Sequence, residues 1–99
     1  MKSPMQLSLD YLNKSGYTCQ IVEHWNSFAR KRIDAFGFGD ILAYHLKKGI
    51  VMVQTTTDSN FNARKVKIFA NPHYYGWKIA GGHIIVHGWG KKGLREEEL

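Results

Sequence analysis

The stretch from Asp40 to Thr57, DILAYHLKKGIVMVQTTT, decides the fold because it predicts two antiparallel strands joined by a short turn. DILAYHL and IVMVQTTT are rich in apolar and β-branched residues, and Lys47-Lys48-Gly49 separates them. A three-residue hairpin loop commonly places glycine in the left-handed conformation. Leu46 is therefore expected to pair with Ile50.

That register has a consequence for the polar residues at the strand ends. It pairs Asp40 with Thr56 and Leu42 with Gln54, and side chains alternate between the two faces along a strand. Asp40, Gln54 and Thr56 are therefore expected on one face, within reach of one another. A two-residue loop would break this arrangement, because a one-residue slip exchanges the faces.

The flanking segments complete an α-β-β-β-α-β order. Ser3 before Pro4 is a helix N-cap signal, and Asp58 or Ser59 can cap the second helix. The predicted elements are a helix over 4–14, a strand over 17–25, the two hairpin strands, a helix over 60–70 and a strand over 83–89. Residues 26–39 and 73–82 are expected to be loops. The pattern predicts one domain over residues 1–94 and a disordered acidic tail over 95–99.

Length and composition limit the class of protein. The chain has 99 residues with 43% hydrophobic content, which suits one globular domain with a modest core. No apolar run approaches the ~20 residues of a membrane helix, and the N-terminus lacks the apolar core of a signal peptide. Cys19 is the single cysteine, so no internal disulfide is expected. These features predict a cytoplasmic protein with no membrane partner.

The charge is positive and unevenly distributed. The net charge is +6, but residues 1–94 hold 13 Lys and Arg against 5 acids, a net +8. This favours a polyanionic partner, and DNA is the partner we expect. The alternative is a basic surface that serves only solubility. The residues expected to contact nucleic acid combine basic and aromatic side chains: Arg30, Lys31, Arg32, His87, Trp89, Lys91 and Lys92.

The polar strand ends have the composition of a site for a hard cation. Asp40 can supply a carboxylate and Gln54 an amide oxygen, which are ligands that Mg²⁺ accepts. Asp34 is either a second ligand or a partner of Arg32 or Arg30, and Glu23 can also approach. The alternative is that Asp40 ends a turn and Gln54 is a satisfied amide.

Two cations on the second predicted helix lie near this site. Arg64 and Lys67 are three residues apart and therefore share one helix face. Because the helix directly follows the strand of Gln54, they could neutralise a phosphate or a developing negative charge. A solvated helix face is the competing interpretation. The five histidines and single cysteine show no zinc-site spacing.

The element order, with Asp40 opening one strand and Gln54 in the next, resembles the PD-(D/E)XK nuclease superfamily. The nearest subset is its small Holliday-junction-resolvase-like proteins, often seen in phages. The resemblance lies in RIDAFGFGDILA, VMVQTTTDSNFNARKVKI and IIVHGWGKKG. It implies an α/β (α+β) fold with a restriction-endonuclease-like core, a mixed central sheet flanked by helices. It also implies DNA cleavage that depends on Mg²⁺ or Mn²⁺.

The resemblance also implies roles for individual residues. Asp40 matches the metal-binding aspartate, and Gln54 occupies the place of the (D/E) residue. Thr56 stands where the family has a lysine that orients water and stabilises charge. Some members place that lysine on the following helix, so Lys67 or Arg64 is the implied substitute.

Three functions fit these residues. The first is a metal-dependent DNA endonuclease acting on branched or structured DNA. The second is a non-catalytic nucleic-acid-binding module derived from a nuclease fold, which the absent lysine favours. The third is a small interaction protein. A homodimer is a further arrangement that the resemblance implies for so short a chain.

Overall fold

The hairpin lies at the centre of a five-stranded mixed sheet in the computed structural model, which describes residues 2–99. Met1, the first residue of the predicted domain, lies outside the described residues. The elements are α1 (Pro4–Lys14), β1 (Thr18–Ile21), β2 (His24–Asn26), β3 (Lys31–Ile33), β4 (Ile41–His45), β5 (Gly49–Thr57), a 3-10 turn (Asp58–Asn60), α2 (Phe61–Phe69), α3 (Tyr74–Ile79), β6 (His83–Gly90) and β7 (Gly93–Glu98). Within residues 2–99, no helix has the length and apolar character needed to cross a membrane.

The strand order of the sheet is β1-β4-β5-β6-β7. Only β5 and β6 are parallel, and the crossover between them contains α2 and α3. The remaining neighbours are antiparallel. The observed architecture is therefore α+β with a mixed central sheet and helices packed on it. The second small sheet contains only β2 and β3.

The predicted hairpin forms, but its register is shifted by two residues. His45 pairs with Gly49, so the loop is Leu46–Lys48 rather than 47–49. His45 Nδ1 accepts hydrogen bonds from the backbone N–H groups of Lys47 and Lys48, at 3.0 and 3.2 Å, which closes the turn one pair earlier. The predicted pairing of Leu46 with Ile50 is therefore wrong. Because the shift is an even number, every side chain keeps its predicted face.

The register shift also changes which residues lie opposite one another. Leu42 pairs with Met52, not with Gln54, and Ile41 pairs with Val53. The backbone N–H of Asp40 donates to the Val53 carbonyl at 3.0 Å. Asp40 consequently lies beside Gln54 rather than opposite Thr56.

Helix α1 has the predicted bounds and covers one face of the sheet. Ser3 Oγ accepts from the Gln6 N–H at 3.2 Å, as expected of an N-cap. Leu12 is fully buried against the inward side chains of the sheet: Ile41, Ala43, Val51, Val53 and Ile85. This layer fixes the odd-numbered face of β4 and β5.

Helices α2 and α3 cover the other face over β5 and β6. Phe61 and Ile68 of α2 pack with Met52, Ile84 and Val86. Helix α3 lies where a loop was predicted. It is held in part because Trp77 Nε1 donates to the carbonyl of His83, at the start of the next strand, at 2.8 Å, a side-chain contact that helix propensity does not include.

The single strand predicted over residues 17–25 is divided into β1 and β2. The Asp40 carbonyl accepts from the N–H groups of Val22 and Glu23, at 2.9 and 3.4 Å, which ends the pairing of β1 and turns the chain. Strand β2 then pairs with β3, inside the segment predicted to be a loop. The result is a small hairpin that projects from the sheet.

The prediction of a disordered acidic tail is wrong. Residues 93–98 form β7, an edge strand paired antiparallel with β6. Each glutamate of the tail has a basic partner, at 2.7–2.8 Å: Glu96 with His87, Glu97 with Lys65 and Glu98 with His83. Side-chain hydrogen bonds to the two histidines, the Lys65–Glu97 ion pair and the β6 ladder together order a segment whose composition suggests disorder.

Candidate metal centre

One end of the sheet gathers the ends of all five strands. Strands β1, β5 and β6 finish there, and β4 and β7 begin there, as their pairing requires. A cleft of about 740 Å³ opens at this end. Its lining is mostly polar and charged: Ser3, Pro4, Met5, Ile21, Glu23, Arg32, Asp34, Asp40, Gln54, Thr55, Arg64 and Lys67. We refer to it as the cleft.

Asp40 is the most buried carboxylate of the cleft, with 4% of its surface exposed. Its Oδ2 accepts from Gln54 Nε2 at 2.7 Å, from the Thr55 backbone N–H at 2.8 Å and from Thr55 Oγ1 at 3.3 Å. These three donors belong to neighbouring residues of β5. The orientation of the carboxylate is therefore fixed by the central strand of the fold.

Two further carboxylates converge on Asp40. One oxygen each from Glu23, Asp34 and Asp40 lies within 4.8 Å of the other two. The β2–β3 hairpin explains this proximity, because His24 pairs with Ile33 at its base. Glu23 and Asp34 flank that last pair and are brought together although eleven positions separate them in sequence.

The electrostatic environment of Asp40 disfavours its charged form. Burial is the main cause that raises the pKa of Asp40 to about 8; the nearby Asp34 and Glu23 add to this rise, and the hydrogen bond from the Thr55 N–H opposes it. Among residues 2–99, the one cation paired with the cluster is Arg32, whose Nη1 lies 3.8 Å from Glu23 Oε1. The cluster is short of positive charge, so it retains a proton on Asp40 at neutral pH.

Arg64 and Lys67 of α2 line the same cleft, as the sequence predicted. Over residues 2–99, neither side chain forms an ion pair with a carboxylate. Lys65, between them, instead binds Glu97 on another side of the helix. Two cations are thus left available beside three carboxylates.

Thr56 does not join this group. Its side chain is 6% exposed, it pairs with Gly88 of β6, and it is absent from the cleft lining. The prediction that Thr56 lies within reach of Asp40 is wrong because of the two-residue register shift. Thr55 takes that place through its backbone N–H and hydroxyl.

The predicted phosphate contact of His87 is also wrong. The ring is fully buried, with Nδ1 2.8 Å from Ser8 Oγ and Nε2 2.8 Å from Glu96 Oε2. Trp89 is half-buried and its Nε1 donates inward to Ser8 Oγ at 2.8 Å. Both residues belong to the packing of α1 on the sheet rather than to a surface that meets nucleic acid.

The remaining predicted contact residues are exposed at the same end of the sheet as the cleft. Arg30, Lys31 and Arg32 lie on the β2–β3 hairpin, beyond β1. Lys91 and Lys92 form the turn between β6 and β7, at the other side of the sheet. Four strand spacings of ~4.8 Å separate β1 from β7, or roughly 19 Å. Basic groups therefore flank the cleft on both sides.

The sequence indicated most of this site but understated Glu23. A signal was present, since Glu23 and Asp34 are placed symmetrically about a segment that closes as a hairpin. Comparisons of the chain with protein-family models, curated proteins and solved structures found no match.

Proposed function

We propose that the protein is a metal-dependent DNA endonuclease with a PD-(D/E)XK-like core, in which Asp40, Asp34 and Glu23 hold Mg²⁺ or Mn²⁺. The observation that carries this proposal is the convergence of three carboxylates in one cleft beside two unpaired cations. The order of α1, β1, β4, β5, α2 and β6 supports it, because it is the α-β-β-β-α-β order of that core. The β2–β3 hairpin, α3 and β7 are additions to it.

The donor set fits a hard divalent cation. Mg²⁺ takes oxygen ligands and is often held by one or two carboxylates while retaining several waters. Asp40, Asp34 and Glu23 supply carboxylate oxygens only, and the cluster lacks the positive charge that a cation brings. Gln54 either orients Asp40 as a donor, as observed, or offers Oε1 as a neutral ligand. The lining given for the cleft contains no cysteine or histidine, and Met5 is its one sulfur-bearing residue.

When bound, such an ion would polarise a phosphodiester and lower the pKa of a water. The side chains of the cleft would hold the ion, bind the phosphate and neutralise developing charge. Asp40, held by Thr55 and Gln54, would hold the ion at a fixed place relative to the sheet. Lys67 and Arg64 bind phosphate oxygens and neutralise charge that develops in the transition state, the role that Thr56 cannot fill.

The distribution of charge supports DNA as the partner. The basic groups on both sides of the cleft belong to a body with net charge +8 over residues 1–94. Binding through phosphates releases counterions, so affinity should fall steeply as salt rises. Charge removal at Arg30–Arg32 or at Lys91 and Lys92 should each weaken binding and reduce its salt dependence.

A non-catalytic DNA-binding module is the second candidate. The observation that favours it is the burial of Thr56, which leaves the strand lysine of the nuclease family without a replacement on β5. In this alternative the carboxylate cluster is a remnant, and Arg64 and Lys67 contact phosphates without chemistry.

The deciding experiment incubates the protein with supercoiled, linear, single-stranded and branched DNA in Mg²⁺, Mn²⁺ or EDTA. The nuclease proposal expects cleavage of at least one substrate with either metal and none in EDTA. Binding of DNA without metal uptake, and with all four substrates intact, would replace it by the binding module. Absence of salt-dependent DNA binding would overturn both.

We also propose that the protein forms a homodimer in the cytoplasm. Four large apolar side chains are exposed on the β4–β5 hairpin: Leu42, Tyr44, Leu46 and Ile50. They lie beside β1, an edge strand whose free side can pair with another chain. Sedimentation equilibrium should give a dimer that Leu46→Glu dissociates.

The state of the single cysteine fits the proposed cytoplasmic location. Cys19 forms no disulfide within the described chain, which suits a reducing compartment.

A further inference from the structure

The tip of the β2–β3 hairpin exposes aromatic side chains that the fold does not use. Phe28 is 100% exposed and Trp25 is 58% exposed. A phenylalanine left in water gains none of the free energy that burial of its ring would supply. A fully exposed Phe28 on an ordered turn is therefore a feature that a ligand would explain.

The turn that carries Phe28 is held in one conformation by its own residues. Asn26 Oδ1 accepts from the N–H groups of Phe28 and Ala29, at 3.0 and 2.9 Å. Arg30 adopts a positive φ of 52°, which returns the chain into β3. The aromatic ring is thus presented on a fixed support rather than on a random loop.

Basic side chains surround these aromatics. Arg30, Lys31 and Arg32 follow Phe28 after one alanine, and Arg32 pairs across the hairpin with Trp25. Such a surface is poorly suited to a purely apolar partner, because three cations would lose hydration. It suits a ligand that alternates anionic groups with flat aromatic faces, which is the chemistry of a nucleic-acid strand whose bases are unstacked.

The hairpin also connects this surface to the cleft. Its base carries Glu23 and Asp34, two of the three clustered carboxylates. Each strand of the hairpin has three residues, so at ~3.3 Å per residue the tip lies roughly 10 Å from the cluster. A base stacked at the tip would be roughly two or three nucleotides from a phosphate in the cleft, at ~3.4 Å per nucleotide of one strand.

We propose that Trp25 and Phe28 form a stacking site for unpaired nucleobases, with Arg30 and Lys31 on the adjoining phosphates. This inference rests on the proposed function and names its substrate class: DNA with unstacked bases, as at a single-stranded gap, a bubble or a branch point. Aromatic stacking is sequence-tolerant because every base has a π face. The site therefore selects DNA structure and not DNA sequence.

The test measures binding in EDTA, so that it does not depend on cleavage. Affinities are compared for a duplex with a central bubble containing 2-aminopurine and for the same duplex fully paired. Phe28→Ala and Trp25→Ala are each expected to weaken bubble binding about 5- to 100-fold and to change duplex binding about twofold or less. Wild-type protein should quench 2-aminopurine, and Phe28→Trp should retain most of the preference.

Tyr75→Ala is the matched control, since Tyr75 is an exposed aromatic on α3 that does not line the cleft. It should leave the ratio of bubble to duplex affinity unchanged. If Phe28→Ala and Trp25→Ala also leave that ratio unchanged, the stacking site is wrong. If Phe28→Ala instead weakens binding to phosphatidylserine vesicles and spares the bubble preference, the hairpin meets membranes and the proposal is overturned.

The two proposals fail in different ways. Loss of bubble preference in Phe28→Ala, with no cleavage under any metal, supports the stacking site and contradicts the nuclease. Cleavage with Mn²⁺ together with an unaltered preference in Phe28→Ala contradicts the stacking site alone. Wild-type protein that binds neither DNA in EDTA overturns the stacking site directly.

Discussion

Asp40 and His87 are both buried and titratable, but the groups around them differ in their hydrogen bonding and in their charge. His87 is enclosed between α1 and the sheet, with Ser8 on one ring nitrogen and Glu96 on the other. Asp40 accepts hydrogen bonds from Thr55 and Gln54, but the carboxylates of Glu23 and Asp34 also lie close to it. The first network is complete as it stands, whereas the second contains an excess of negative charge.

The pKa shifts express this difference. Burial lowers the pKa of His87, and the opposing attraction of Glu96 does not reverse the shift, so the ring is neutral and every polar atom has a partner. Burial raises the pKa of Asp40 to about 8, and the neighbouring carboxylates act in the same direction. A cluster that must hold a proton or a cation is suited to binding, while a satisfied network serves stability.

The largest expected effect is a loss of DNA cleavage when the Asp40 network is changed, but not when the His87 network is changed. Asp40→Asn should abolish cleavage, a loss on the order of 10³-fold or more, because only neutral atoms would remain where the central ligand lies. DNA binding should persist or strengthen, since a negative charge is removed. Initial rates on the preferred substrate and a filter-binding assay measure the two quantities.

His87→Gln is the matched control for Asp40→Asn, since it changes the buried titratable residue of the other network. It should retain cleavage per folded molecule, because the ring lies outside the cleft. Equal loss of cleavage in both variants would mean that the two networks do not differ as described.

The next effect concerns the cations of α2. Lys67→Ala or Arg64→Ala should lower cleavage about 10²-fold, because one of them takes over the charge stabilisation that Thr56 does not provide. Lys65→Ala is the matched control on the same helix, since Lys65 binds Glu97 outside the cleft. Single-turnover rates at saturating protein distinguish the three variants. Full activity in both Lys67→Ala and Arg64→Ala would remove α2 from the mechanism.

The free energy of unfolding should depend more on His87 than on Asp40, which is the reverse of the expected effects on cleavage. His87→Ala is expected to lower the free energy of unfolding by about 2–4 kcal/mol, because it opens a cavity and removes the hydrogen bonds that the ring makes with Ser8 and Glu96. Asp40→Asn should not lower it in metal-free buffer, since a neutral amide replaces a carboxyl group that the folded protein holds in its protonated, neutral form. Urea unfolding of both variants checks the contrast, which fails if His87→Ala costs less than Asp40→Asn.

Much of the fold was predictable because its signals are local. The Ser3–Pro4 cap set the start of α1, and the apolar pattern of residues 40–57 set the hairpin. The register was missed because the His45 side chain closes the turn, a contact that loop statistics do not contain. Strand β7 was missed because its order depends on partners in β6 and α2.

The site was predictable to the extent that residue type indicates chemistry. Asp40, Gln54, Asp34, Arg64 and Lys67 all line the cleft. His87 and Trp89 were assigned to nucleic acid on composition, but their burial is decided by α1, which is about eighty residues away in sequence. Polar and aromatic residues look alike in sequence whether they face a ligand or a helix.

The smallest predicted effect uses pH to separate the two networks within one protein. In the metal-free folded state Asp40 keeps its proton up to about pH 8, whereas the unfolded chain loses it near its ordinary pKa of 3.8. The folded state binds more protons between these values, so this carboxyl makes the free energy of unfolding fall as pH rises. His87 has the opposite sign, because its lowered pKa makes the unfolded chain bind more protons below the ordinary value of 6.5.

Above about pH 7 an imidazole of ordinary pKa is neutral in the unfolded chain, and His87 is neutral in the folded one, so the Asp40 contribution is isolated. We expect the metal-free protein to lose about 1 kcal/mol of unfolding free energy between about pH 7 and pH 8. Asp40→Asn should abolish that loss, and saturating Mn²⁺ should abolish it as well, because a cation replaces the proton. Below about pH 6 His87 offsets the Asp40 contribution, so the wild-type slope should flatten, whereas in Asp40→Asn the free energy of unfolding should rise with pH because His87 governs it. Urea unfolding in EDTA across this range measures the slopes. A wild-type slope above pH 7 that Asp40→Asn leaves unchanged would mean that the carboxylate cluster carries no excess charge, and the contrast with His87 would disappear.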